Sequence, residues 1–167
     1  MNPEEVDKLL FRGKPEETGP AKDTQMSLSL EQYKTYLKIF DGTSNRSQKS
    51  NEFFLGLNAA IIALLGYVET KSLPHANVVF MLVPFVGISI CYSWYRMINS
   101  YSQLNRAKFK VIHRIEQRLP LALFETEWHA LGRGRDPKKY VAFSKIERNI
   151  PLTFIALYAL ILLITLL

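Results

Sequence analysis

The sequence predicts an all-α membrane protein, three transmembrane helices with a helical cytosolic extension, and three observations predict it. First, 48% of the 167 residues are hydrophobic although 22% are charged. Second, the two classes are segregated: three uncharged apolar blocks alternate with charged ones, a division that a soluble domain of this length seldom needs. Third, the net charge of +6 belongs to one region. Residues 1–52 carry eight Lys and Arg against nine acids, whereas the segment after Tyr95 carries twelve against five. The single cysteine, Cys91, excludes an intramolecular disulfide and a Cys-rich metal site. The first thirty residues are charged and hold no apolar run of the kind a cleaved signal needs.

Residues 1–28 contain Pro3, Pro15, Pro20, Gly13 and Gly19 among many charges, the composition of a disordered N-terminal arm. Leu9, Leu10 and Phe11 within it read as a short helix or a docking peptide. Residues 29–52 form a cytosolic amphipathic helix and linker. Ser29-Leu30-Glu31-Gln32 fits a capping box, and Leu30, Tyr33, Tyr36, Leu37 and Phe40 follow at helical spacing. Asp41-Gly42 either ends that helix or bends it.

Residues 53–98 form a transmembrane helical hairpin. Phe53–Val68 covers roughly 24 Å at the helical rise and reaches a full span once flanking residues enter the interface. Glu69–His75, with Pro74, is a connection short enough for antiparallel helices. The second block runs from Ala76 to Tyr95, with Pro84 as a kink. Tyr92, Trp94 and Tyr95, followed by Arg96, read as the aromatic belt of the interface. No strong breaker separates this block from the basic stretch beyond it, so Ala76–Leu119 reads as one helix that leaves the bilayer and continues into the cytosol.

Residues 99–148 form the basic cytosolic helical segment. Ile98, Tyr101, Leu104, Ile112, Ile115 and Leu119 mark one apolar face, and Pro120 stops the helix. Phe124–Leu131 is a short helix with Trp128 and Leu131 inward and Gly132 as its cap. Residues 132–139 form a loop, and Ser144-Lys145-Ile146-Glu147 is a second capping-box pattern opening the last helix. Residues 149–167 are the third transmembrane helix. The short Glu69–His75 loop holds only Lys71, so the positive-inside rule puts the basic segment and the N-terminus in the cytosol and the C-terminus in the periplasm.

Nothing here supports catalysis, and neither a cofactor nor a metal is expected. Glu125, Glu127 and His129 lie close in sequence, but without a fixed metal motif they read as a solvated acidic face. Within the blocks, Asn58 is either an interhelical hydrogen-bonding group or a pore-lining one, and Gly56, Gly66, Gly87 and Ser89 permit close helix approach. No ionised residue interrupts a block, which argues against a proton relay. Three helices this apolar cannot enclose an aqueous path alone, so a conduit needs several subunits.

The basic segment has three readings. Its charges fix topology and touch anionic lipid. Alternatively, Arg133, Arg135, Lys138 and Lys139, on a Gly-containing loop, bind phosphates with Arg106, Lys110 and Arg114. Or Arg106, Lys108, Lys110, Arg114 and Arg118 hold a nucleic acid beside stacking aromatics.

Gln103-Leu104-Asn105-Arg106-Ala107-Lys108-Phe109-Lys110-Val111-Ile112-His113, Glu127-Trp128 and Leu131-Gly132-Arg133-Gly134-Arg135-Asp136-Pro137 resemble the bacterial RipA-type small membrane proteins. The likeness runs from about Tyr33 to the last helix, and the Leu-Gly-x-Gly-x-Asp-Pro loop is its most specific part. It implies a homo-oligomer, octameric in name, in the bacterial inner membrane, and supplies no catalytic residues. The layout is also similar to two-helix effectors of nucleotide-signalled anti-phage defence, from which the third membrane helix departs. Together these readings lead to an oligomeric pore or ion-channel effector. Its gate would answer to a nucleotide or oligonucleotide made by a partner nucleotidyltransferase. The alternative is a non-conducting membrane scaffold that recruits cytosolic partners.

Overall fold

A computed structural model describes Asp7, Leu10, residues 20–71 and residues 76–167. Among these residues every element is helical: α1 (Pro20–Lys71), α2 (Ala76–Glu116), α3 (Leu123–Ala130), a 3-10 turn (Gly132–Gly134), α4 (Phe143–Glu147) and α5 (Asn149–Leu166). Three stretches are long and apolar enough to cross a membrane, Thr24–Lys71, Asn77–Glu116 and Phe143–Leu166. Most of the arm, with Leu9 and Phe11, and the hairpin residues Ser72–His75 lie outside the described residues.

Three boundaries differ from the sequence reading. Helix α1 begins at Pro20, so Ser29 lies inside it instead of capping it. Proline suits a first turn, where its missing N–H has no partner to lose. The helix also continues through Asp41-Gly42 and the polar residues 43–52; a glycine costs a helix only about 1 kcal/mol against alanine, and tertiary contacts described below hold this region. Helix α2 is a single 41-residue element, as its lack of breakers implies, but it ends at Glu116, four residues ahead of Pro120. There the chain tightens, with the Arg118 and Leu119 amides donating to the Ile115 and Glu116 carbonyls. Finally, Ser144 does not cap the last helix. It lies within α4, and its hydroxyl oxygen accepts from the Ser102 hydroxyl at 3.0 Å.

The chain divides into two compact units. The membrane unit comprises Ser44–Gln103 and Val141–Leu167. In it Pro84, Gly87, Cys91, Trp94 and Ile98 form a buried column on α2 with alternating three- and four-residue steps, the spacing of one helix face. Leu65 of α1 and Tyr158 of α5 pack against Cys91. A methyl group at Gly87 would sit 2.5 Å from Tyr158 Cζ, so only glycine admits the ring there. Trp94 is buried (1% exposed), stacks on Phe54 at 5.8 Å, and donates its indole N–H to Asn51 Oδ1. It is therefore a core residue and not part of an aromatic belt; its polar edge is satisfied within the chain, which removes the reason for an indole to seek the headgroups.

The basic unit comprises Met1–Thr43 and Leu104–Tyr140. Tyr33, Lys108, Ile112 and Glu116 are buried in it. Phe40 meets Phe109 edge-on at 4.9 Å, and Phe109 meets Phe124 at 6.1 Å. The apolar stripe read from the sequence is only partly interior: Ile112 is fully buried, whereas Leu104 is 45% exposed.

Candidate functional site

In the basic unit the loop after α3 is built by backbone geometry. Gly132, Arg133 and Gly134 all have positive φ (67°, 53° and 66°), which glycine takes at no steric cost and arginine does not. Gly134 also faces Trp128, where a Cβ would lie 2.8 Å from Cη2, and Trp128 meets Tyr140 edge-on at 5.8 Å. Asp136 Oδ1 accepts the Lys138 amide at 2.9 Å, and the Asp136 carbonyl accepts those of Lys139 and Tyr140. The result fixes the backbone while leaving Arg133, Arg135, Lys138 and Lys139 exposed.

These cations are not equivalent. Arg133 donates to Glu125 Oε1 at 3.0 Å, and the other Glu125 oxygen lies 3.2 Å from His113 Nδ1 on α2. Glu125 thus partly neutralises Arg133 and joins the loop to α2, a use of its carboxylate different from a metal ligand's. Arg135, Lys138 and Lys139 have no ion-pair partner among the described residues.

On α2, Arg106, Lys110 and Arg114 recur every four residues and therefore form one row. Arg106 and Lys110 are exposed, whereas Arg114 is half-buried and bonded to Asp7 and Gln117. Lys108 does not belong with them, although the nucleic-acid reading included it. It is buried and donates to the Ile39 carbonyl at 3.3 Å and to the Thr43 hydroxyl, tying α2 to α1.

Sequence reasoning missed Glu116. Its carboxylate accepts the Tyr33 hydroxyl at 3.1 Å and the Phe124 and Glu125 amides at 3.0 Å each. The residue preceding α3, Ala122, has no side chain to cap with, so Glu116 caps that helix from another element, where negative charge is favoured. Burial, and then the hydrogen bond to Glu116 and its charge, push the Tyr33 hydroxyl up to about 12. The available signal was a charged residue one turn beyond Ile112 on the apolar stripe.

In the membrane unit Asn58 is fully buried and joins all three helices. Its Nδ2 donates to the Phe54 carbonyl at 2.8 Å, while Oδ1 accepts the Cys91 thiol at 3.1 Å and the Tyr158 hydroxyl at 3.0 Å. Asn51 makes a second layer, accepting from Trp94 and donating to Glu147 Oε1 at 2.9 Å. Nearby, Arg148 donates to Asn99 Oδ1 at 3.3 Å. The other small residues are not gathered with Asn58: Gly56 and Gly66 face open space, and Ser89 is exposed, its hydroxyl donating to the Phe85 carbonyl.

No curated protein and no solved structure matches this chain. A family model does, over residues 30–167, a range that takes in the three apolar blocks and both basic clusters. The chain belongs to the octameric membrane protein family (8xMP), and it is an oligomeric, helical membrane protein.

Proposed function

We propose that the oligomer is a gated pore of the bacterial inner membrane, an ion-channel effector answering to an anionic cytosolic ligand in anti-phage defence. The observation that carries this reading is the face of α2 opposite its buried column. Two residues beyond Pro84, Gly87, Cys91, Trp94 and Ile98, about 200° around the helix, come Val86, Ser89, Ser93, Arg96 and Ser100, all exposed. Ser89 and Ser93 donate to the Phe85 and Ser89 carbonyls, which leaves their oxygens able to accept from water, so a ring of subunits with that face inward lines a water path. Leu82 and Val86, 57% and 55% exposed, continue the same face as an apolar constriction that closes by dewetting.

In this reading the basic unit is cytosolic, following the positive-inside rule, the C-terminus is periplasmic, and the likeness to RipA-type proteins is one of kind. A nucleotide or oligonucleotide, supplied by a partner nucleotidyltransferase, binds Arg133, Arg135, Lys138 and Lys139 together with Arg106, Lys110 and Arg114. Proteoliposomes of the full chain test it. Ligand-sensitive ion flux is expected, and charge reversal at Arg135, Lys138 and Lys139 should abolish the response while leaving insertion intact. Absence of flux in every condition rejects the pore.

A second reading, a non-conducting scaffold, is favoured by Leu121 and Leu123, which are 68% and 65% exposed in the basic unit and offer a partner an apolar foothold. It predicts a co-purifying soluble protein and no toxicity on overexpression.

A further inference from the structure

Arg114 differs from its neighbours on the α2 row because an acid of the same chain already holds it. Arg106 and Lys110 are exposed and have no ion-pair partner among the described residues. The Arg114 side chain is only 25% exposed, and Asp7 closes its guanidinium at two points, Nε to Oδ1 at 2.5 Å and Nη2 to Oδ2 at 2.7 Å. Its Nη1 donates to Gln117 Oε1 at 2.9 Å, which holds the planar group in place. A paired, planar grip of this kind is also how arginine takes a phosphate.

We propose that Asp7 is an internal competitor: its carboxylate fills the Arg114 fork until a ligand carrying more than one phosphate displaces it. The proposal rests on reading the α2 row as part of the ligand site. Successive members of the row stand about 6 Å apart along the helix, so a ligand with several phosphates gains Lys110 and Arg106 as well as Arg114. An anion with a single phosphate group reaches only the fork that Asp7 already fills. Asp7 therefore sets both a threshold concentration and a preference for polyanions.

The test uses the full-length oligomer in detergent at 0.15 M salt, where charges more than about 8 Å apart are largely screened. Inorganic pyrophosphate and orthophosphate are titrated by calorimetry into the wild type, Asp7→Asn, Arg114→Gln and the double variant. Asp7→Asn should bind pyrophosphate about fivefold more tightly, the scale of one partly exposed charge pair. Orthophosphate should bind the wild type far more weakly than pyrophosphate does. In the Arg114→Gln background the substitution at Asp7 should change nothing. Equal pyrophosphate affinity in wild type and Asp7→Asn, with Arg114→Gln weaker, overturns the competitor and leaves the ligand site standing. An equal gain in both backgrounds reduces Asp7 to a general charge effect and also overturns it. Pyrophosphate binding by neither wild type nor Asp7→Asn rejects the ligand site and the competitor together.

Discussion

In the membrane unit the polar groups inside the helix packing are mainly neutral side chains bonded to other side chains, Asn58 to Cys91 and Tyr158 and Asn51 to Trp94, with the Glu147 carboxylate also accepting from Asn51. In the basic unit they are ions bonded largely to backbone: Glu116 to two amides of α3, and Lys108 to a carbonyl of α1. The difference follows from what each environment tolerates. An amide or hydroxyl is inexpensive to bury among apolar helices when its partner is another side chain. An ion buried away from water survives only with several strong partners, and the open ends of short helices supply them. The Asn58 cluster should therefore be replaceable as a set by apolar groups, and the Glu116 one should not.

The largest effect is expected at Glu116. Glu116→Leu leaves the Phe124 and Glu125 amides and the Tyr33 hydroxyl without their acceptor, each worth about 1 kcal/mol or more. A loss of about 3 kcal/mol is expected, read as faster amide exchange across α3. Adding Tyr33→Phe should recover little, because the backbone donors remain. Full recovery would show that the side-chain pair, and not the cap, holds the unit.

A smaller effect, about 1 kcal/mol, is expected for Asn58→Leu in detergent denaturation, in keeping with measured hydrogen bonds between membrane helices. Here Tyr158→Phe should restore most of the loss, since both partners become apolar. If the double variant is as weak as the sum of the singles, the two residues act independently and the contrast between the units fails.

How much was legible in the sequence divides along the same line. The three spans could be read from their uncharged apolar runs and the unbroken α2 from its lack of breakers, because a lipid surrounding asks for apolar side chains all round a helix and leaves that mark residue by residue. The capping boxes at Ser29 and Ser144 misled. They describe a local exchange of hydrogen bonds, whereas α1 starts on a proline and Ser144 bonds Ser102, 42 residues away. The Glu116 cap was hidden for the same reason, since its acceptor and donors belong to different elements. The basic loop was visible as composition, Gly-Arg-Gly-Arg followed by Lys-Lys, but the sequence did not reveal that Arg133 is partly neutralised by Glu125 or that Lys108 faces inward.

The smallest effect expected is a pH dependence within the basic unit. Tyr33 titrates at about 12 in the folded protein, against about 10 in an unfolded chain. A group whose folded value is raised contributes its full stabilisation below the unfolded value and loses it as pH rises through the folded one. Protection of the Tyr33–Glu116 contact should therefore be constant up to about pH 10 and decline between pH 10 and 12. In Tyr33→Phe that step should shrink to the part contributed by Tyr36, which burial also raises, after correction for the chemical exchange rate. A step of undiminished size in Tyr33→Phe would assign the transition to another group and remove Glu116's hydroxyl partner from the account of how this unit is held.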